Sequence, residues 1–193
     1  MFSNNEPIQV TLLVTNVLEE LGVKYVLGGS LASALHGVAR ATMDADIIAN
    51  IEIKHVVPFV NALKGAFYVD AEMIRDAIQH QMSFNIIHLE TLFKVDIFVA
   101  KDRDFDRYQI ERRTAYSLSG DTQQSVYVAS AEDTILAKLE WYRMGGEVSD
   151  RQWRDILGIM KVQANKLDMD YLRKGSRTLQ IEDLLDKAIK EAL

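Results

Sequence analysis

Apolar residues at Ile8, Leu12, Leu13, Val17 and Leu21 recur at close to helical spacing before Gly22, which predicts a first helix over about residues 8–21. Tyr25-Val26-Leu27 is a short apolar run ending in Gly28-Gly29, and Ser30 stands where it can cap a helix that closes at His36-Gly37. The order is strand, glycine turn, helix. Met43-Asp44-Ala45-Asp46-Ile47-Ile48 reads as a strand, apolar except for two carboxylates, and helices follow over about residues 54–63 and 71–79. Met82 to His88 and Thr91 to Val99 read as paired strands joined by His88-Leu89-Glu90. Arg112 to Leu118 pairs with Gln124 to Val128 across the turn-rich 119–122. Ser130 with Asp133 three residues later marks another helix start, and helical pattern runs on to Leu193 with breaks at Gly145-Gly146 and near Lys174-Gly175-Ser176. Strands before about residue 128 and helices after it predict an α+β fold: a mixed sheet flanked by helices in 1–128, carrying a helical C-terminal subdomain in 129–193.

The chain has 193 residues, 48% hydrophobic and 26% charged, enough for one substantial core and a small appended lobe. Two Pro and ten Gly exclude a collagenous or linker-dominated chain. The N-terminal residues lack a basic stretch leading into an apolar one, and no apolar run approaches the ~20 residues of a membrane helix, so a cytoplasmic, non-membrane protein is expected. The absence of cysteine removes disulfides, thiolate nucleophiles, iron–sulfur clusters and cysteine zinc sites. His36, His55, His80 and His88 show no metal-ligand spacing and read as surface or core residues. A net charge of −6 argues against duplex DNA bound by broad phosphate neutralisation. Locally the balance shifts: residues 138–177 hold nine basic against six acidic residues, whereas 1–50 hold two against five. Such asymmetry suits an acidic metal site and a basic anion clamp, and equally a solvated helical face.

Candidate chemistry begins with Asp44 and Asp46. Two apart on a strand, they project from one face and can converge on a cation. Asp96, flanked by Val95, Ile97, Phe98 and Val99, is a third carboxylate among residues that read as buried, and charges so placed need a partner. Oxygen ligands without His or Cys suit Mg²⁺ or Mn²⁺ over Zn²⁺. Gly28-Gly29-Ser30, between strand and helix, offers backbone amides and a hydroxyl to a phosphate. The competing structural reading makes Asp44 and Asp46 strand-end residues that cap a turn or pair with Arg40. Lys138 sits among Ile135, Leu136, Leu139 and Trp141, where a lysine commonly snorkels. Arg151, Arg154 and Asp155 divide evenly between phosphate binding and local pairing, with Arg151 and Asp155 an i,i+4 pair. Trp141 and Trp153 read as core anchors. The alternating charges of 101–107 read as a solvated loop or helix start. No G-x-x-x-x-G-K, G-x-G-x-x-G or G-x-S-x-G is present, which removes P-loop, dinucleotide and α/β-hydrolase chemistry.

The string from Gly28-Gly29-Ser30 through Asp44-Ala45-Asp46-Ile47, with Asp96 as a later carboxylate, resembles the signature of the polymerase-beta-like nucleotidyltransferase superfamily. Within it, Arg40-x-Thr42-x-Asp44-x-Asp46 is similar to the R-x-T-x-D-x-D of AbiEii-type toxins and their solitary relatives. Ser130 through Lys138, Trp141, Gly145-Gly146 and 149–155 resemble their lysine helix and following Arg-Asp helix. Ala45 stands where that family usually has Ile or Leu, and Ser30 where Thr is common. The resemblance implies a minimal nucleotidyltransferase fold in which Asp44, Asp46 and Asp96 hold Mg²⁺ and are catalytic. Gly28, Gly29, Ser30, Arg40 and Lys138 would contact the NTP. Two metals ~3.5–4 Å apart would then neutralise the triphosphate, activate an acceptor hydroxyl and stabilise the departing pyrophosphate. The acceptor would be an RNA end, a protein or a small molecule, and an antitoxin would be a partner. The alternative is a non-catalytic member of the fold that binds a nucleotide or a partner.

Overall fold

The computed structural model describes residues 6–38, 41–117 and 125–192. In chain order the elements are α1 (Glu6–Glu20), β1 (Tyr25–Leu27), α2 (Gly29–His36), β2 (Asp44–Ala49), α3 (Ile53–Leu63), β3 (Phe67–Tyr68), α4 (Ala71–His80), β4 (Ser83–His88), β5 (Lys94–Val99) and α5 (Asp104–Glu111). They continue through β6 (Thr114–Ser117), β7 (Ser125–Val128), α6 (Ala131–Met144), α7 (Asp150–Gln163), a 3-10 turn (Ala164–Lys166), α8 (Met169–Leu179) and α9 (Glu182–Ala192). The expected α+β class with a mixed sheet is what forms. The described residues fall into two compact units, one within 1–30 and 42–128, the other within 31–41 and 129–193.

In the first unit the strands form one sheet in the order β3-β4-β5-β2-β1-β7-β6. β2 lies between β1, antiparallel to it, and β5, parallel to it. Both β2 and β5 alternate strictly: Ala45, Ile47, Ala49, Val95, Ile97 and Val99 are buried, while their odd-face neighbours are half-buried. A parallel pair needs a long crossover, and here α3, β3, α4 and β4 intervene between β2 and β5. Phe59 of α3 meets Phe84 of β4 edge to face at 6.3 Å, and both are buried. Each such side chain contributes roughly 1.5–3 kcal/mol by burial.

The loop between β4 and β5 departs from expectation. The strand expected from Thr91 begins only at Lys94, because Leu92 takes a left-handed φ of 58° and the turn closes through His88 N–H to the Phe93 carbonyl. Thr91 Oγ1 lies 2.9 Å from His88 Nδ1 and accepts from the Phe93 amide, which fastens the turn. The alternating charges at 101–107 do start a helix, α5, with Asp106 buried and accepting from the Lys101 amide and Arg103 Nε. The turn expected at 119–122 lies outside the described residues.

In the second unit α6 begins at Ser130, whose hydroxyl accepts from the Asp133 amide. Asp133 is fully buried, and its carboxylate is met by the Ser130 hydroxyl at 2.9 Å and the Tyr171 hydroxyl at 2.6 Å, which satisfies a charge that would otherwise be costly. The break at Gly145-Gly146 forms, but the one expected near Gly175 does not. α8 runs through it, starting at its Asp168 cap and ending at left-handed Gln180. Gly175 serves close packing: a Cβ there would lie 2.4 Å from Leu136 Cδ1, and Leu136 is fully buried. Trp141, expected in the core, is 47% exposed. Trp153 is half-buried, stacked near Tyr142 with ring centroids 5.1 Å apart and donating to Glu191. His36, at the end of α2, sits 2.6 Å from the Ala129 carbonyl through Nε2.

Gly175→Val is expected to lower stability by about 1–3 kcal/mol in urea unfolding by overpacking Leu136, whereas Gly65→Ala, where a Cβ would meet nothing within 4 Å, should stay within about 1 kcal/mol of wild type. Tyr25 is buried, donates to Glu19 at 2.7 Å, and its phenol is held well above the ordinary value of 10 by burial first and by Glu19 second. Above about pH 10 the unfolded chain ionises this phenol while the folded chain keeps it protonated, so stability falls as pH rises, by up to ~1.4 kcal/mol per pH unit. Tyr25→Phe should flatten that alkaline slope, read from denaturation midpoints between pH 9 and 11.

Candidate functional site

β2 and β5 bring the sequence's acidic candidates onto one surface. Their parallel register sets Asp46 opposite Asp96 and Asp44 opposite Lys94. All four belong to the half-buried face of their strands, alternating with the core residues. The antiparallel pairing of β4 with β5 puts Asn85 opposite Asp96 on its other side, also half-buried. Asn85 and Lys94 were not singled out from the sequence. Their signal was the same two-residue alternation, but it acquires meaning only once the register is known.

Each carboxylate is engaged by a neighbour. Thr42 Oγ1 donates to Asp44 Oδ1 at 2.8 Å, and Thr42 itself is buried, so the threonine two residues before the first aspartate orients it. Lys94 Nζ lies 2.7 Å from Asp96 Oδ2. The Lys94 ammonium is held above its ordinary value by that hydrogen bond first, with the charges of Asp96, Asp44 and Asp46 adding to it. Asp46 is packed against the glycine turn: the Gly28 amide donates to the Asp46 carbonyl at 2.8 Å. A Cβ on Gly29 would fall 1.7 Å from Asp46 Oδ2, and Gly29 has φ +55°. Only glycine permits both that backbone and that approach.

Gly29 and Ser30 open α2. Gly28, Gly29, Ser30, Asp44, Asp46 and Asp96 therefore belong to one unit and one end of it. Lys138 belongs to the helical unit, where it is buried and its Nζ lies 3.0 Å from Asp155 Oδ2. Asp155 thus pairs across α6 and α7. Arg40 lies outside the described residues. Arg151 and Arg154 are exposed, with Arg154 Nε donating to the Asp150 carbonyl at 3.3 Å.

Carboxylate oxygens are the donors a hard divalent cation prefers, and on this face they share the surface with Lys94 and Asn85. Among the described residues no three His, Cys, Asp or Glu side chains are drawn together closely enough to hold a metal ion. An open depression of about 410 Å³ lies elsewhere, at the other ends of β2 and β5, lined by residues that include Asn50, Glu52 and Ala100. Among the described residues no helix is long and apolar enough to cross a membrane.

No protein-family model and no curated protein matches the sequence. Solved structures do. An antigenic nucleotidyltransferase-like protein from Paracoccidioides brasiliensis superposes with a TM-score of 0.58 at 18% identity, over 97% of this chain and 94% of that one. ANT(2'')-Ia, solved in complex with adenylyl-2''-tobramycin, superposes with a TM-score of 0.56 at 14% identity, over 90% of this chain and 97% of that one. The fold is that of nucleotidyltransferase-like proteins. At these identities the likeness is one of backbone architecture, and the sheet that carries Asp44, Asp46 and Asp96 is part of it.

Gly29→Ala is expected to cost on the order of 2 kcal/mol or more, from the left-handed φ and the collision with Asp46. Gly28→Ala, whose nearest neighbour would be Ile48 Cδ1 at 3.3 Å, should cost distinctly less in the same urea titration.

Proposed function

We propose that the chain is a metal-dependent nucleotidyltransferase that moves a nucleoside monophosphate from an NTP to a hydroxyl acceptor. The observation that carries this reading is the register that sets Asp46 opposite Asp96, with Asp44 on the same face, beside a glycine turn that opens a helix. Asp44, Asp46 and Asp96 would hold Mg²⁺ or Mn²⁺, which when bound supplies charge neutralisation for the triphosphate and acidifies the acceptor hydroxyl. Gly29 and Ser30 would meet phosphate through backbone amides at the start of α2 and the Ser30 hydroxyl, and Gly28, whose amide donates to the Asp46 carbonyl, would shape the turn beside it. Thr42 fixes Asp44 so that its carboxylate need not reorganise. Asp96 receives the proton of the acceptor hydroxyl as that oxygen attacks the α-phosphorus, and the bond from the α-phosphorus to the bridging oxygen breaks to release pyrophosphate.

The finer assignment is to the AbiEii-type group. Arg40-x-Thr42-x-Asp44-x-Asp46 supports it, because the bond from Thr42 to Asp44 gives the motif's threonine a physical task. On that reading the acceptor is an RNA end or a protein hydroxyl, and an antitoxin is the partner. A small-molecule hydroxyl acceptor is the second reading, favoured by the shared fold with ANT(2'')-Ia, whose complex contains adenylylated tobramycin.

With each α-labelled NTP, Mg²⁺ and mixed RNA, protein or aminoglycoside acceptors, wild type should label one acceptor class. Asp44→Asn and Asp46→Asn should each lose at least about a hundredfold in rate. Equal labelling by all three proteins would refute the transferase assignment, and NTP binding with no divalent cation requirement would favour a non-catalytic binding protein.

A further inference from the structure

The glycine turn and the carboxylates set a direction across the sheet. Gly28 follows β1, which borders β2 on one side, whereas β5, β4 and β3 succeed one another on the other. In phosphoryl transfer the attacking and leaving oxygens stand roughly in line through the phosphorus. With the phosphates at the glycine turn, pyrophosphate leaves on the β1 side, and the attacking hydroxyl arrives over β5 from the side of β4 and β3.

The side chains waiting there are uncharged. Asn85 lies opposite Asp96 and Ile87 opposite Lys94, both half-buried. Tyr68, opposite Ile87 on β3 at the end of the sheet, is 59% exposed. Partners across a ladder share a face, so these three residues stand on the carboxylate face, while Phe67, Ile86 and His88 turn to the buried one. Among the described residues neither the Asn85 carboxamide nor the Tyr68 hydroxyl has a hydrogen-bond partner. The carboxamide, with two N–H donors and an acceptor oxygen, is one strand spacing from β5, and the Tyr68 ring is two, roughly 10 Å.

We infer that Asn85 and Tyr68 form the acceptor subsite and that the acceptor hydroxyl belongs to a sugar ring. This rests on the transferase reading above. The exposed aromatic ring covers the apolar face of a sugar or of the base attached to it, and the carboxamide bonds its hydroxyls. A protein acceptor would dock an extended segment by adding it to a strand edge, and β3 is two residues long, so this edge offers almost no ladder. The sugar oxygen bonds to the α-phosphorus as its proton passes to Asp96, and the bond from the α-phosphorus to the bridging oxygen breaks to release pyrophosphate. The terminal ribose of an RNA and a small aminoglycoside both present this chemistry.

Calorimetric binding of a short single-stranded RNA and of tobramycin to the intact chain, with labelling of each from α-labelled NTP, tests this. At least one of the two should bind and take label, and which one does so names the source of the sugar. Tyr68→Ala and Asn85→Ala should each raise KM for that acceptor about tenfold and leave KM for the NTP within about twofold of wild type. Asn85→Ser should do the same if alanine perturbs β4. Tyr68→Phe, which keeps the ring, should stay within about threefold. Tyr108→Ala, which removes an exposed aromatic on α5 in the same unit, should leave both KM values unchanged. Binding of neither probe would overturn the inference, as would an acceptor KM unmoved in Tyr68→Ala and in both Asn85 variants, or an equal rise in Tyr108→Ala. Label that reaches only peptides carrying Ser, Thr or Tyr keeps the transferase reading and sinks the sugar subsite. A sugar probe whose binding weakens in Tyr68→Ala but which takes no label from any NTP sinks the transferase reading and leaves the sugar site standing.

Discussion

Two like-charged carboxylates, Asp46 and Asp96, face each other across a parallel strand pair near the middle of the sheet, and the rest of the molecule is arranged so that this placement can persist. Set directly opposite each other, the two carboxylates repel. The register is imposed from the opposite face, where Ala45, Ile47, Val95 and Ile97 are fully buried. A slip by one residue would turn this set outward and the aspartates inward. Apolar burial thus holds charges where they repel, and a lysine offsets part of the repulsion.

Around that constraint the local chemistry is economical. The glycine turn ahead of α2 does two things at once: it adopts a left-handed φ, and it leaves room for the Asp46 carboxylate where any side chain would stand. Thr42 secures Asp44 from its own strand end. Asp44 and Asp96 each have a partner of their own in Thr42 and Lys94. The same partners keep the unliganded sheet from being pushed apart by its own charge.

The helical unit shows the opposite use of polar residues. Lys138 with Asp155, and Asp133 with Ser130 and Tyr171, are satisfied inside the packing of α6, α7 and α8. Gly175 lets α8 approach Leu136. Its glycine answers to helix contact, where the glycine at the start of α2 answers to backbone conformation.

The two-residue period of 43–48 and the turn residues at 28–30 were enough to put Asp44 and Asp46 on one face after a strand, a glycine turn and a helix, because side-chain alternation and capping are local properties of the covalent chain. The same local signals misplaced the start of β5, where a left-handed Leu92 lengthens the turn, and read Gly175 as a break, since a glycine inside a helical stretch looks alike whether it ends the helix or admits a neighbour. Only the tertiary structure decided that Asp96 stands opposite Asp46, that Lys94 rests on Asp96 and that Lys138 pairs with Asp155. Register and cross-element pairing are set by which buried surfaces pack together over long separations in sequence, and no short window of residues carries that information.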